Sequence, residues 1–108
     1  MDMEPLKLST ENHFQETITT GVVLIDFNAS WCGPCRFQGP IIKDIAKQSE
    51  GQALVSEVNV DENREMAIRL GIQSIPTLIL FKNGQEMQRF IGLQTREVLS
   101  RAIENVLD

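Results

Sequence analysis

Six residues, Val22-Val23-Leu24-Ile25-Asp26-Phe27, form a continuous apolar run broken by a single acid. A run without polar alternation fits a strand covered on both faces, as in the largely parallel sheets of α/β proteins. Shortly after it the chain reads Trp31-Cys32-Gly33-Pro34-Cys35. In open α/β sheets the C-terminal ends of strands are where the chemistry usually sits. The acid inside the run, Asp26, is expected to be buried, and burial without a cation disfavours the ionised carboxylate.

Cys32 and Cys35 are the only cysteines in 108 residues. A helical pattern begins at about Pro34, so Cys35 falls on the first turn, and cysteines at this spacing can close a small disulfide ring. The positive end of the helix dipole and the free N–H groups of the first turn both favour a thiolate. The leading cysteine is therefore expected to be an exposed nucleophile, with Cys35 shielded. Gly33 removes bulk beside the sulfur, and Pro34 suits a helix start because its missing N–H would be unbonded there. Zinc and iron–sulfur proteins also use this spacing. Structural zinc needs four N or S ligands, and the chain offers two cysteines and His13. No metal is expected: a site within one chain would need carboxylates to complete it, and the other alternative is a metal shared between chains. A purely structural disulfide is disfavoured because closing so short a loop removes little chain entropy.

The length predicts a single domain over residues 1–108. Fifteen acids against ten bases give a net charge of −5, which argues against nucleic acid or an acidic membrane as partner. No apolar run approaches the ~18 residues of a membrane span. The opening Met1-Asp2-Met3-Glu4-Pro5 has acids where a secretory leader has bases, so a cytoplasmic location is expected. In a reducing cytosol, a lone pair of this kind reads as catalytic.

There are no internal repeats. Residues 5–8 predict a short edge strand, and Ser9 or Thr10 can cap a helix over 10–19 with Phe14 and Ile18 on its buried face. The helix from about 34 to 48 shows Phe37, Ile41 and Ile45 as a stripe widened by Ile42 and Ala46, with a kink expected at Pro40. Residues 53–60 predict a strand, and Asp61 can cap a helix over 62–70. Residues 75–81 predict a strand with Pro76 at its entrance. Asn83-Gly84 is a hairpin signal leading to a return strand over 85–91. Thr95 can cap a last helix whose apolar face is Val98, Leu99, Ala102, Ile103, Val106 and Leu107. The order β-α-β-α-β-α-β-β-α predicts an α/β fold with helices on both faces of a mixed sheet and a terminal hairpin.

In order and spacing, several short motifs resemble the thioredoxin family over nearly the whole chain. They are Asp26-Phe27, Trp31-Cys32-Gly33-Pro34-Cys35, Pro40, Val60-Asp61, Ser74-Ile75-Pro76-Thr77-Leu78, Phe81-Lys82-Asn83-Gly84 and Gly92. The resemblance implies a thioredoxin-like fold, a central five-stranded mixed sheet flanked by four helices. It implies a protein-disulfide reductase that cycles through a mixed disulfide, acts as a monomer and binds no cofactor besides its own Cys32–Cys35 disulfide. Cys32 would attack, Cys35 would resolve, and Asp26 would carry the proton. Pro76 would be cis, and the Ile75 backbone would pair with an extended substrate. Trp31, Gly33, Pro34, Ile75, Pro76 and Gly92 would form the docking surface. Partners would be disulfide-containing proteins and a thioredoxin reductase.

Two positions depart from the family pattern. Asn28 replaces an aromatic residue, and Glu57 stands where a lysine near Asp26 is common. Both leave the disulfide chemistry intact and bear on packing, redox potential and the protonation of Asp26. An oxidase or isomerase of the same fold and a non-catalytic binding subunit are the alternative functions; Gly33-Pro34 resembles the reducing branch.

Overall fold

The computed structural model describes residues 5–107. The acidic stretch 1–4, on which the leader reading rests, lies outside them. Among the described residues the order is β1 (Leu6–Lys7), α1 (Glu11–Ile18), β2 (Val22–Asn28), α2 (Gly33–Gln48), β3 (Ala53–Asn59), α3 (Arg64–Arg69), β4 (Thr77–Lys82), β5 (Gln85–Ile91) and α4 (Arg96–Val106). The sheet runs β1-β3-β2-β4-β5. Strands β1, β3 and β2 are parallel; β4 and β5 are antiparallel to their neighbours. The fold is the expected thioredoxin-like one, a five-stranded mixed sheet with four helices.

The lack of alternation in β2 has its expected cause. Val22 and Leu24 face α2 and α4, packing with Ile42, Ile45, Leu99 and Ile103. Val23, Ile25 and Phe27 face α1 and α3, packing with Phe14, Ile18 and Met66. Each such side chain contributes about 1.5–3 kcal/mol on burial. Asp26 lies on the α2 side, flanked in register by Glu57 on β3 and Leu78 on β4. The β4–β5 turn is the expected hairpin: Asn83 and Gly84 have φ of 51° and 86°, the left-handed pair such a turn requires.

Three local expectations need correction. Phe37 is 69% exposed, and the stripe that α2 buries is Cys35, Gln38, Ile42, Ile45 and Ala46. Placing Cys35 against the sheet rotates Phe37 outward, and Ile41 is only partly covered. Helix α2 runs through Pro40, and Arg36, whose carbonyl loses its donor there, lies on an exposed face. Val98 is also exposed, leaving Leu99, Ala102 and Ile103 as the buried face of α4. Asp61 does not cap α3, which starts after Asn63. Asn59 Oδ1 instead accepts the N–H groups of Asp61 and Glu62, at 2.9 and 3.2 Å. Thr10 and Thr95 do cap α1 and α4, accepting from His13 and Val98.

Phe14 is fully buried, edge-on to Phe81 at 5.9 Å and tilted against Phe27 at 6.4 Å. Phe14→Ala should therefore cost about 3–5 kcal/mol in urea unfolding. A loss under about 1 kcal/mol would mean that α1 is not packed as described.

Candidate active site

Strand β2 ends at Asn28, the chain turns through Ala29 and Ser30, and helix α2 begins at Gly33. Cys32 is the N-cap of that helix. Its Sγ accepts the Cys35 N–H at 3.2 Å, so one free donor of the first turn points at sulfur. Cys32 and Cys35 form a disulfide with a Cα–Cα distance of 5.3 Å. The bond packs against Ala29, Val60 and Ile75. Cys32 Sγ lies 3.7 Å from the Ile75 carbonyl oxygen; oxidised sulfur carries no proton, so this is a packing contact in the disulfide form. The expectation of an exposed Cys32 needs correction: its residue is 4% exposed and Cys35 9%, because the Ile75 segment covers the bond.

The remaining expected site residues converge on this turn from two sides. The Ile75–Pro76 peptide is cis, Ile75 is half-buried and Pro76 is buried. Gly92 adopts φ of 94° and donates its N–H to the Pro76 carbonyl at 2.8 Å, tying the end of β5 to the start of β4. Trp31, Gly33 and Pro34 are exposed. Trp31 donates its indole N–H to Asp61 at 2.7 Å, which gives Asp61 the partner that α3 does not provide. A cavity of about 290 Å³ lies beside the indole, lined by Val60, Ile72 and Ile75.

Gln38 was missed because a glutamine falls outside an apolar stripe. Its spacing from Cys35, Ile42 and Ile45 is the signal that finds it. It is fully buried, donates to the Gln94 carbonyl at 3.1 Å and accepts the Gln94 N–H at 2.7 Å. This pair fastens the cysteine helix to the loop after Gly92.

Beneath Cys35, Asp26 is 2% exposed. One carboxylate oxygen, Oδ1, has no hydrogen-bond partner among the described residues. The other accepts a long bond, 3.4 Å, from Asn28, whose amide also donates to Glu57 at 3.0 Å. Burial pushes the Asp26 carboxyl up from an ordinary 3.8 to about 7; the Asn28 bond opposes the shift and the Glu57 charge adds to it. The departures at 28 and 57 thus meet around this acid.

A helix N-terminus holding a disulfide, with a buried carboxyl below and a cis-proline segment above, defines a thiol–disulfide oxidoreductase of thioredoxin-like fold. The thioredoxin family model matches residues 5–105. Thioredoxin 1 of Nostoc is 46% identical over 94 residues, spanning 86% of this chain and 88% of that one. Thioredoxin of Staphylococcus saprophyticus is 40% identical over 98 residues, spanning 91% and 94%. The solved structure of a mutant thioredoxin from Halobacterium salinarum superposes with a TM-score of 0.90 at 33% identity, covering 99% of this chain and 94% of that one. The chain belongs to the thioredoxin family, and its activity is protein-disulfide reduction.

The raised Asp26 value makes stability depend on pH. The folded carboxyl holds its proton more tightly than the unfolded one, so the stability it permits is complete below 3.8 and is lost as pH rises to about 7. Asp26→Asn removes this loss. Urea melts should show the variant gaining on the wild type between pH 4 and pH 8, at about 1.4 kcal/mol per unit of that window. An equal difference at both pH values would place Asp26 in solvent or in an ion pair.

Proposed function

We propose that Cys32 is the attacking thiolate, Cys35 the resolving thiol and Asp26 the acceptor of the Cys35 proton. The observation that carries this is the Cys35 N–H aimed at Cys32 Sγ from the first turn of α2. A donor in that place favours negative charge on the leading sulfur. The Cys32 thiolate attacks one sulfur of a substrate disulfide, forming a mixed disulfide and releasing the first substrate thiolate. Cys35 gives its proton to the Asp26 carboxylate and attacks Cys32 Sγ. The Cys32–Cys35 bond forms as the second substrate thiolate leaves with the electron pair. A thioredoxin reductase returns two electrons to the disulfide, and the cycle needs no other cofactor.

The docking surface in this reading is Trp31, Gly33, Pro34, Ile75, Pro76 and Gly92. An extended substrate would pair with the Ile75 backbone as a short added strand. The exposed apolar side chains of Phe37, Ile91 and Leu93 would widen it. The protein acts as a single domain and as a monomer, on disulfide-containing proteins of the cytoplasm.

Insulin-disulfide reduction tests the role of each sulfur, with dithiothreitol as donor and then with NADPH and a thioredoxin reductase. Cys32→Ser should abolish reduction, and Cys35→Ser should accumulate a mixed disulfide visible by mass spectrometry. Faster iodoacetamide labelling of Cys35 than of Cys32 in the reduced protein would reverse the assignment. Retained reduction in Cys32→Ser would move the chemistry elsewhere.

A further inference from the structure

After each resolving step, the proton taken from Cys35 has to leave a buried carboxyl before the next turnover. Asp26 is 2% exposed, its Oδ1 has no partner among the described residues, and its bond from Asn28 is long. Nothing on β2 or β4 beside it can take the proton, because Leu24 and Leu78 are apolar. The opening is on the β3 side. A cavity of about 290 Å³ is lined by Cys35, Asp26, Asn28 and Glu57, roomy enough to admit water or a small buffer molecule.

Glu57 and Asp26 are register partners on adjacent parallel strands, so their side chains share a face about 4.8 Å apart along the sheet. Glu57 is half-buried and stands on the solvent side of the acid. The Asn28 amide donates to both carboxyls, at 3.4 and 3.0 Å. An amide gives up no proton at neutral pH, so Asn28 orients the two groups and Glu57 is the one that can accept. The charged groups facing this cavity are Lys7 on β1, Asp26 on β2, Arg36 and Lys43 on α2, and Glu57 on β3. Glu57 is the one acid among them besides Asp26 itself, and it shares the Asn28 amide with it.

We propose that Glu57 is the exit carrier for the Asp26 proton, with Asn28 as the positioning residue that holds the two carboxyls at one cavity. The inference rests on the proposed role of Asp26 as proton acceptor. In each cycle the proton moves from Cys35 to Asp26 as the Cys32–Cys35 bond forms. It then passes across the cavity to the Glu57 carboxylate and on to solvent, which restores the Asp26 carboxylate.

The experiment is multiple-turnover insulin-disulfide reduction, with NADPH and a thioredoxin reductase in excess, at several pH values, in dilute buffer and with increasing imidazole. Glu57→Gln keeps the size of the side chain and an acceptor for Asn28. It should slow the reaction about tenfold in dilute buffer, a part of the 10²–10⁴-fold that a positioned acid–base group supplies. Imidazole, entering the cavity, should restore the variant's rate in proportion to its concentration while leaving the wild type flat. Glu57→Asp, which keeps a carboxyl, should stay near the wild type. A Glu57→Gln rate equal to the wild type in dilute buffer, or a slowed rate that ignores imidazole, overturns the proposal. Asp26→Asn in the same assay separates the two levels. If it is slow while Glu57→Gln is normal, the exit carrier alone is wrong; if it is itself normal, Asp26 is not the acceptor and both readings fall.

Discussion

Strand β2 is buried on both faces, and the rest of the molecule is arranged to keep it so. It lies between β3 and β4 in the sheet, with α2 and α4 covering one side and α1 and α3 the other. That double cover fixes the point at which the chain leaves the sheet, and the cysteine turn begins there. Helix α2 is then both the lid over the Asp26 face and the carrier of the disulfide. Packing Cys35, Gln38, Ile42 and Ile45 inward sets the rotation of the helix and places the Cys35 N–H against Cys32 Sγ.

The same burial creates the tension on which the proposed chemistry depends. A carboxyl in the middle of an apolar strand lacks the solvation that would keep it ionised, and the Glu57 charge beside it pushes the same way. It opposes folding near neutral pH, yet it is the group placed to exchange a proton under a sulfur that water barely reaches. Stability conceded at a reactive centre is common where function needs a perturbed group. Here the loss is limited by Asn28, whose amide is the one hydrogen-bond donor to Asp26 among the described residues.

Much of this was legible in the chain. The unbroken apolar run marked β2, the Asn-Gly pair marked the hairpin, and Thr10 and Thr95 marked their helix starts, because each is a local signal with a local cause. The errors came where tertiary contacts overrode local pattern. Phe37 looked like core because it is apolar and four residues from Ile41, but helix rotation is set by Cys35 and the buried Gln38. Asp61 has the chemistry of a cap, but its carboxylate is taken by the Trp31 indole 30 positions away and Asn59 caps the turn instead. The cysteines were separated by expected exposure, yet both are covered once Ile75 closes over the disulfide, a contact between segments 43 residues apart. Asn28 and Glu57 were visible only as departures; the hydrogen bond between them became apparent from the register of β2 and β3.

The proposed chemistry turns on one carboxyl beneath the disulfide whose midpoint is raised to near neutral pH, so that it can both take a proton and give it up. Carbon-13 NMR titration of the Asp26 carboxyl carbon in the oxidised protein measures it directly. The structure predicts a midpoint of about 7, with a lower one when Glu57→Lys places a cation on the neighbouring strand. A wild-type midpoint at the ordinary carboxylate value of about 4 would contradict it.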